Sequence, residues 1–540
     1  MRVSLVHGLV SLLLSGMLAS VSHAQVDCRA AGADCSLREA AEQGGVLIGA
    51  AVSDLFDSDP AYGPALAADL DSITAENDMK WAATQPTRGN YDFIKADKLV
   101  TFAEANDMAV RGHTLLWDQE TIDSTPEYVT DITDPAELRA LMADHISTVV
   151  GRYAGRIDAW DVVNEPFQST NGQYYDNVFR QVLGDGYIAE ALELAHAADP
   201  DALLFVNEVL VSYQGGKFEA LRSLAVRLLA QGAPLHGIGI QAHFLLPVAP
   251  QQLHANLVSL AELGLVVELT ELDIPRSTTN PDTPENQRLD YLNIARACLA
   301  VPACQRITLW GLTDAHTWID SFVGPDFAPL PLDTNYERKP AWFGLREGLL
   351  SRTAPLTGKK LDLRAGRKPR LTASSRDEAV LALDEGGASD PTLTGATLEV
   401  TTHPSEGGSA LSRSERDSRG VLITGGILTL FPGAAAPVIQ EFDLPASNWR
   451  RKGSTYRYKD KKGELGPVRQ LLLRDGHKLS VKLQGSDLDV DLSEEPGAIE
   501  MTLRTGNASH CLQFGGESKF KADKSFRVKG AEAPEGCLPP

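Results

Sequence analysis

The chain has 540 residues, with 50 Lys and Arg against 72 Asp and Glu, a net charge of −22 and 43% hydrophobic residues. This length allows about two to four domains, of which we expect two, and the hydrophobic fraction is ordinary for a protein that buries large cores. Because the negative charge repels phosphate backbones and anionic lipid, we expect neither nucleic acid nor a membrane surface as a partner.

The first 24 residues have the pattern of a secretory signal peptide. Arg2 precedes an apolar stretch over 9–21, and small residues follow around Ala24, where cleavage is expected. The apolar stretch is well short of the roughly 20 residues that a membrane-spanning helix needs. We therefore predict that residues 1–24 are removed and that the protein is secreted, to the periplasm or to the extracellular medium.

Six cysteines fall into three couples that are close in the sequence. In an exported chain this spacing predicts three local disulfides, although other pairings stay possible in principle. The predicted bridges are Cys28–Cys35, Cys298–Cys304 and Cys511–Cys537. A zinc site would need closely spaced Cys or His ligands, and no Cys-x-x-Cys is present in the sequence.

From residue 45 to about residue 350, within a predicted domain at 25–355, short apolar runs alternate with longer segments that have apolar residues at helical spacing. The predicted strands are the runs at 46–52, near 75, and at 108–116, 157–163, 202–206, 237–240, 264–269 and 306–312. Predicted helices lie at 95–106, 135–153, 187–198, 217–231, 250–263 and 285–300. This alternation predicts an α/β fold, a (β/α)8 TIM barrel, with its functional site at the C-terminal ends of the strands.

Polar and aromatic side chains collect where these runs stop. In chain order they are Glu76, Asn77, His113, Trp117, Asn164, Glu165, Asn207, Glu208, Gln241, His243, Glu271, Asp273, Trp310 and Asp314. So many charged and amide groups at one rim are costly unless they bind something polar. The pattern therefore indicates a binding or catalytic site.

After about residue 351 the pattern changes to short alternating runs that Gly, Asp, Ser and Lys turns separate. These runs predict a smaller all-β domain over 356–540, with strands at 395–401, 420–431, 455–459, 468–473, 477–483 and 497–503. Aromatic residues on strands more often pack a core than bind sugar, so we expect Trp449, Tyr456 and Tyr458 in the core. Segment 449–476 and the Cys511–Cys537 region resemble a module appended to secreted bacterial proteins, which assigns no function.

Two Glu residues at strand ends suit the hydrolysis of a glycosidic bond. One carboxyl group must protonate the leaving oxygen, and a second must attack the anomeric carbon or activate water. Glu165 follows the fourth predicted strand and Glu271 ends the seventh, which places them across the mouth of the predicted barrel.

Six motifs in chain order resemble glycoside hydrolase family 10, the endo-β-1,4-xylanases. They are TAENDMKW at 74–81, RGHTLLW at 111–117, WDVVNE at 160–165, GIGIQAH at 237–243, TELD at 270–273 and TLWGLTD at 308–314. The resemblance covers residues 44–350 and implies retaining hydrolysis of xylan, with Glu165 as general acid/base and Glu271 as nucleophile. Retention implies carboxyl groups about 5–5.5 Å apart.

The resemblance also assigns contacts to the polysaccharide. Asn164 is expected to hold the sugar 2-hydroxyl. Other hydroxyl contacts, on the non-reducing side, are assigned to Glu76, Asn77, Lys80, His113 and Gln241. Apolar faces for sugar rings are assigned to Trp117, Trp310 and Trp318. His243 counts among the binding residues and, oriented by Asp273, is expected to stand beside ionised Glu271. We expect no cofactor, no metal and a monomer.

The chain departs from the family pattern at three places. The family has His-Ser-Gln after the third-strand Trp, whereas this chain has Asp-Gln-Glu beginning at Asp118. The fifth strand of the family ends in Asn-Asp-Tyr-Asn, and Val209 stands here in place of the Tyr on the leaving-group side. Ile319 replaces the usual Arg after the last-strand Trp. These changes bear on chain length or sugar preference.

Three alternatives stay open. The nearest is a retaining β-glycanase for cellulose or mixed-linkage glucan, because glucose adds only a CH2OH group and the room near Lys80 and Trp318 is not visible in the sequence. A metal-dependent barrel hydrolase would draw its ligands from His113, His243, Asp314 and His316. That class favours a His-x-His pair at a strand end, which the sequence lacks. The third is a carbohydrate-binding barrel without catalysis, against which both Glu residues argue.

Overall fold

The computed structural model describes residues 27–30, 34–119, 124–168, 172–280, 283–383, 389–403, 438–506, 508–514 and 518–531. Within these ranges the chain forms a closed eight-stranded parallel barrel, followed by two largely antiparallel sheets. The predicted fold class, a TIM barrel with an all-β domain after it, is confirmed.

The barrel strands follow one another around the barrel in sequence order. They are β1 Leu47–Val52, β2 Ser72–Ala75, β3 Ala109–Gly112, β4 Ala159–Asn164, β5 Leu203–Glu208, β6 Gly237–Ile240, β7 Val266–Leu272 and β8 Cys304–Leu309. The pairing of β1 with β8, in which Leu47 lies opposite Arg306, closes the barrel. Each predicted apolar run overlaps one of these strands, because barrel strands are buried on both faces and read as continuous apolar sequence.

Helices precede the barrel strands and connect them. They are α1 Leu37–Gly44, α2 Tyr62–Asp69, α3 Trp81–Thr84, α4 Ile94–Ala105, α5 Glu127–Thr130, α6 Pro135–Arg152, α7 Val178–Leu183, α8 Tyr187–Ala198, α9 Gly216–Ala230, α10 Pro250–Ala261, α11 Thr283–Leu299, α12 Ile319–Phe322 and α13 Pro340–Leu349. Helix α6 shows why the sequence signal is clear. Its cap Asp134 accepts from the Ala136 N–H, Pro135 occupies the first position, and the buried side recurs every three to four residues.

The interior of the barrel contains a buried network of charged side chains. Arg111 on β3 donates to Asp161 on β4 and to Glu268 on β7, and all three are at most 1% exposed. Arg306 on β8 lies 3.6 Å from Glu268. Burial favours a raised pKa at Asp161, but Arg111 and His113 hold that pKa below its usual range. The network therefore joins four strands and reaches His113, whose Nδ1 lies 2.9 Å from Asp161.

Replacing Arg111 by Met is expected to destabilise the barrel by about 3 kcal/mol, because Asp161 and Glu268 would stay buried with one cation fewer. Chemical denaturation followed by circular dichroism measures this loss. The control is Arg88→Met, which breaks a surface pair with Glu137 whose side chains are 55% and 40% exposed. The control is expected to cost less than about 1 kcal/mol. Equal losses in the two variants would show that the buried network stabilises the barrel no more than a surface ion pair does.

Two of the three predicted disulfides lie within the described residues, and both are present. They are Cys28–Cys35, with Cα atoms 5.6 Å apart, and Cys298–Cys304, with Cα atoms 5.4 Å apart. The second bridge joins the end of α11 to the start of β8. Cys537 lies outside the described residues, as does the predicted signal peptide at 1–24. The third bridge and the signal peptide therefore stay predictions.

The C-terminal domain contains an eight-stranded sheet and a five-stranded sheet. The first, in spatial order, consists of β14 Trp449–Lys452, β15 Thr455–Lys459, β16 Val468–Arg474, β17 Lys478–Gln484, β11 Arg370–Ser375, β10 Gly358–Arg364, β21 Ser525–Ala531 and β20 Ser518–Lys521. The second consists of β13 Val438–Leu444, β12 Ala396–His403, β18 Ala498–Thr505, β19 Ala508–Phe514 and β9 Arg352–Leu356. A short helix, α14, spans Pro391–Thr394.

One buried apolar cluster takes side chains from both of these sheets. Trp449, Tyr456 and Tyr458 belong to it and are at most 1% exposed. The prediction that these aromatic residues pack a core is confirmed. Five of the six predicted strands coincide with observed ones, and the sixth, at 420–431, lies outside the described residues.

The barrel and the C-terminal domain are in contact near α11 and β9. Strand β9 follows α13 directly and runs parallel to β19, with Arg352 opposite Ala508. Arg296 on α11 donates to the carbonyl of Gly506 at 3.1 Å, and beside this contact an open cleft of about 910 Å³ separates the domains. The division at 355/356 stays a prediction, and β9 spans that position. The described helices include none long and apolar enough to cross a bilayer.

Candidate active site

The ends of β4 and β7 bring Glu165 and Glu271 to one mouth of the barrel. Glu165 directly follows β4, and its N–H donates to the carbonyl of Asn207 at 2.9 Å. Glu271 lies within β7, and its N–H donates to the carbonyl of Gln241 at 2.8 Å. Glu165 has a φ of 50°, in the left-handed region that side chains with a Cβ rarely adopt. Such backbone is held by its surroundings and is common at functional sites.

Glu271 lies between an imidazole ring and an amide. His243 Nε2 is 3.0 Å from its Oε2, and Asn207 Nδ2 donates to its Oε1 at 2.7 Å. The other ring nitrogen of His243 is 2.9 Å from Asp273, which also accepts from Trp318 Nε1 at 2.7 Å. Burial opposes the charged ring, but Asp273 and Glu271 raise the pKa of His243 to about 10. At neutral pH an imidazolium therefore stands between two carboxylates.

This arrangement predicts a pH-dependent contribution of His243 to stability. Because the folded pKa of about 10 exceeds the ordinary histidine pKa of 6.5, the stabilisation is complete below about pH 6.5 and is lost as the pH rises towards 10. The free energy of unfolding of the wild type should exceed that of His243→Gln by a few kcal/mol at pH 6, since one pKa unit corresponds to about 1.4 kcal/mol. Denaturant titrations at pH 6, 8 and 10 measure the gap, and a gap that does not narrow contradicts the prediction.

Glu165 is held by three side-chain amides. Gln119 Nε2 donates to its Oε2 at 2.7 Å, and Gln241 Nε2 donates to its Oε1 at 2.9 Å. Asn164 Nδ2 approaches the same Oε1 at 3.4 Å, and its Oδ1 accepts from Asn207 at 2.8 Å. Because Asn207 also donates to the second Glu, one layer of amides connects the two carboxylates. The sequence assigned no role to Gln119 or Asn207. Asn207 was noted only as one of the polar residues at the predicted strand ends.

The remaining predicted contacts form the wall of the same site. Lys80 Nζ donates to Asn77 Oδ1 at 2.7 Å and lies 4.8 Å from the centre of the Trp117 ring. The rings of His113 and Trp310 are 5.3 Å apart. Two buried polar atoms, His113 Nε2 and Trp117 Nε1, have no hydrogen-bond partner within the described ranges. Buried polar atoms normally have a partner, and a hydroxyl group of a bound sugar would supply one.

Lys80 faces the acidic groups of the site. Burial lowers the pKa of Lys80, while Glu271, Glu76 and Glu165 oppose that shift. Glu76 follows β2 and accepts from the hydroxyl group of Ser53. All the predicted site residues are thus brought to one end of the barrel, although their roles towards a substrate stay predictions.

The departures from the family pattern have visible consequences. Asp118 accepts from the N–H of Val178 at 2.8 Å, at the start of α7, and burial raises its pKa. Ile319 is completely buried, so it contributes packing where the family has a charged Arg. Val209 follows β5, and its N–H donates to Glu208 Oε1 at 2.9 Å.

Glu208 and Lys217 form a buried pair that the sequence did not reveal. Lys217 Nζ lies 2.7 Å from Glu208 Oε1, and Glu208 Oε2 accepts from the N–H of Phe167 at 3.1 Å. Burial raises the pKa of Glu208 to about 8, with Lys217 opposing the shift and Glu165 adding to it. The pair therefore anchors the segment that directly follows Glu165.

The described residues offer one close group of His, Cys, Asp and Glu ligand atoms, formed by Cys28, Cys35 and Glu39. Its two cysteines are bonded to each other, so they are not free thiolates for an ion. His113 and His243 are paired with carboxylates, and His316 lies 3.0 Å from Asp59 instead. The four residues of the metal-hydrolase alternative do not form a common ligand group among these described positions.

The sequence profile of glycosyl hydrolase family 10 matches residues 36–347. Endo-1,4-beta-xylanase A of Phanerodontia chrysosporium is 38% identical over 312 residues, 57% of this chain and 73% of that protein. The endo-1,4-beta-xylanase of Agaricus bisporus is 38% identical over 285 residues, 52% of this chain and 84% of that protein.

Solved structures give the same result. Xylanase 10B of Thermotoga maritima superimposes with a TM-score of 0.55 and 35% identity, over 58% of this chain and 98% of its own. Xylanase 10B of Thermotoga petrophila, solved with xylobiose, gives a TM-score of 0.56 and 33% identity, over 59% of this chain and 98% of its own. The matched part is the barrel with its two strand-end Glu residues, and the chain belongs to glycosyl hydrolase family 10.

Proposed function

We propose that this glycoside hydrolase cuts internal β-1,4-xylosidic bonds of xylan by a retaining double displacement. Glu271 is the nucleophile and Glu165 the general acid/base. The observation that supports this assignment best is the different environment of the two carboxyl groups. Glu271 accepts hydrogen bonds from a cation and an amide, His243 and Asn207, whereas the hydrogen bonds to Glu165 come from neutral side-chain amides.

The first step needs an anionic, correctly aimed nucleophile. The hydrogen bonds to its two oxygens fix the carboxylate of Glu271, and Asp273 fixes the imidazolium that makes one of them. Attack on the anomeric carbon forms a glycosyl ester while Glu165 gives its proton to the leaving oxygen. Asn164 forms a hydrogen bond with the sugar 2-hydroxyl group, and this bond strengthens as positive charge develops on the ring.

The second step reverses the role of Glu165. As a carboxylate it takes a proton from water, and the resulting hydroxide opens the ester from the face that the leaving group has vacated. The donors Gln119 and Gln241 hold both oxygens of the carboxylate in the free enzyme. In the first step Glu165 is protonated. Its protonated oxygen gives up the hydrogen bond from one of these amides and donates instead to the arriving leaving oxygen.

Substrate class is tested by initial rates on xylan, carboxymethyl cellulose and barley glucan, with and without EDTA. We expect the highest kcat/KM on xylan and no effect of EDTA. A higher kcat/KM on either glucan would make the protein a β-glucanase on the same barrel. Activity that EDTA abolishes would favour metal-dependent hydrolysis, and no activity on any of them would favour a binding barrel.

We also propose that the protein is exported and that residues 1–24 are its signal peptide. The charged, apolar and small-residue order of that segment supports this, and so do the two disulfides, since such bonds persist in oxidising compartments. Mass spectrometry of the protein recovered outside the cytoplasm should give a mature N-terminus at Gln25. A retained Met1 would contradict the proposal.

Removing the C-terminal domain is expected to leave the barrel folded and its activity on short soluble xylo-oligosaccharides within about twofold of the full chain. The cut is best placed after Ser351, because β9 pairs with β19 and would be left as an unpaired edge. Thermal unfolding and kcat/KM of the two forms measure the effect.

A loss confined to insoluble substrate would indicate that the domain tethers the enzyme to polysaccharide, because tethering raises the local concentration of enzyme. Unfolding of the truncated barrel, or collapse of its activity on soluble oligosaccharides, would show that the contact around Arg296 and Gly506 is essential. The domains would then not be independent.

A further inference from the structure

Charge is distributed very unequally along this chain. Residues 356–540 contain 27 Lys and Arg against 25 Asp and Glu, whereas residues 1–355 contain 23 against 47. The whole excess of negative charge therefore lies before the C-terminal domain. A polyanion that the barrel repels can still approach the C-terminal domain.

One end of the eight-stranded sheet contains a groove of about 600 Å³. Six cationic residues line it, and in the described part of the chain no Asp or Glu does. The cations are Arg367, Lys368, Lys461, Lys462, Arg469 and Lys482. Among their neighbours, Glu464 lies 3.6 Å from Lys462, but it is not part of the lining.

The antiparallel order of the sheet explains how three distant segments meet here. Four strand termini lie at the same end of the sheet: the end of β15, the start of β16, the end of β17 and the start of β11. The pairing shows this, with Lys459 opposite Gln470 and Arg370 opposite Gln484. The loops are also tied together, since the Gln484 N–H donates to the carbonyl of Pro467 at 2.8 Å. The cations are therefore placed by backbone pairing.

The β15–β16 turn is shaped by Asp460. Its carboxylate accepts from the N–H groups of Gly463, Glu464 and Leu465. The turn therefore carries Lys461 and Lys462 at its beginning on a backbone with fixed hydrogen bonds.

Arg469 is tied to the backbone of the groove by a hydrogen bond. Its Nε donates to the carbonyl of Gln484 at 2.7 Å, while its Nη1 is buried without a hydrogen-bond partner within the described ranges. The guanidinium lies against Gly463, where a Cβ would stand 1.1 Å from Nη1 and where φ is +73°. Glycine is thus required by both space and backbone, and the guanidinium group is held beside the lysines of the groove.

Neutral hydrogen-bonding groups alternate with these cations. Gln470, Gln484 and Ser486 also line the groove, and no aromatic residue does in the described ranges. Stacking on an aromatic ring is the usual way to hold a neutral sugar, so a neutral glycan has little to bind. Amides and a hydroxyl group beside cations suit a ligand that carries both hydroxyl groups and negative charges.

We propose that this groove binds the carboxylates of a polysaccharide that contains uronic acids. Arg469 would bind one carboxylate through its guanidinium group and the lysines would neutralise its neighbours along the chain, while the amides meet sugar hydroxyl groups. Like charges that face one groove repel one another, and a polyanion removes that repulsion. This inference goes beyond the hydrolysis proposed for the barrel and does not depend on it.

The test is affinity electrophoresis of the full chain in native gels that contain polygalacturonate, dextran or no polymer. The double variant Lys461→Glu/Lys482→Glu reverses two exposed groove cations. Its matched control, Lys519→Glu/Lys521→Glu, makes the same change of net charge at two exposed lysines on β20 that are not part of the lining. Mobility relative to the polymer-free gel corrects for net charge.

We expect polygalacturonate, but not dextran, to retard the wild type and the control. The groove variant should bind at least about tenfold more weakly, and wild-type binding should weaken as salt rises, because screening shortens the range of the attraction. If the first variant does not fold, Arg367→Gln/Lys368→Gln takes its place and should show the same loss of binding. Hydrolysis of short xylo-oligosaccharides should be unchanged in both groove variants, so the result stands whether or not xylan is the substrate.

Four results would overturn the proposal: no retardation by polygalacturonate, equal retardation by dextran, equal loss in the groove and control variants, or preference for a phosphate polymer. The last is tested with polyphosphate as a soluble competitor. If polyphosphate displaces the protein at a lower charge concentration than soluble polygalacturonate does, the groove recognises phosphate and the assignment to uronic acids is wrong.

Discussion

Replacing Glu271 by Ala is expected to lower kcat on xylan by at least about 10⁴-fold, because no other group can form the glycosyl intermediate. His243 and Asn207, which hold the carboxylate in the wild type, would remain around the vacated space. Azide or formate is therefore expected to enter that space and restore turnover. Since only one displacement then occurs, the product should have inverted configuration. Chromatography of the released oligosaccharides measures turnover, because a glycosyl azide has no free reducing end, and NMR of the first product gives its configuration.

The control is Glu262→Ala, which removes an exposed carboxylate directly after α10 and should leave kcat unchanged. An inactive Glu271→Ala protein that is folded but that no small anion rescues would weaken the assignment of the nucleophile. A variant that retains more than a tenth of the activity would rule it out.

Replacing Glu165 by Ala is expected to separate substrates by their leaving groups. On xylan the loss in kcat/KM should be about 10²–10⁴-fold, the usual range for a general acid. On a dinitrophenyl xylobioside the loss should be below about tenfold, because that leaving group departs without a proton. The ratio of kcat/KM on the two substrates also controls for folding, because misfolded protein would lower both values by the same factor. Equal losses on both would place the acid on another residue.

The sequence predicted the barrel well because its signals are local. Each strand of a parallel barrel is a buried apolar run, and the residues that follow it must lie at one rim. Position in the chain was therefore enough to bring Glu165, His243 and Glu271 into one predicted site. The observed distances, such as 3.0 Å from His243 Nε2 to Glu271 Oε2, agree with that grouping.

The sequence could not predict interactions that depend on side-chain direction. Gln119 lies in a loop where the chain departs from the family pattern, and nothing in the sequence indicates that its amide reaches Glu165. Asn207 was visible only as a polar strand end, although it bridges Asn164 and Glu271. Such contacts are decided by tertiary packing rather than by spacing.

The C-terminal domain shows the same limit at a larger scale. Alternating runs predicted its strands, but strand order depends on pairing between distant segments, such as β9 with β19. The basic groove is likewise dispersed in the sequence, over 367–368, 461–469 and 482. Each short segment looks like an ordinary solvated surface until the sheet order brings them together.

The central claim is that Glu271 forms a covalent glycosyl intermediate, and trapping that intermediate tests it most directly. The probe is a 2-deoxy-2-fluoro xylobioside with a dinitrophenyl leaving group. Its fluorine destabilises the cationic transition states and slows both formation and hydrolysis of the glycosyl ester. The reactive leaving group still allows the ester to form, so the ester accumulates. Mass spectrometry of the intact protein should show one added glycosyl group, and peptide mapping should place it on Glu271. A label on another residue, or complete turnover to an inverted product without any labelled protein, would contradict the proposed mechanism.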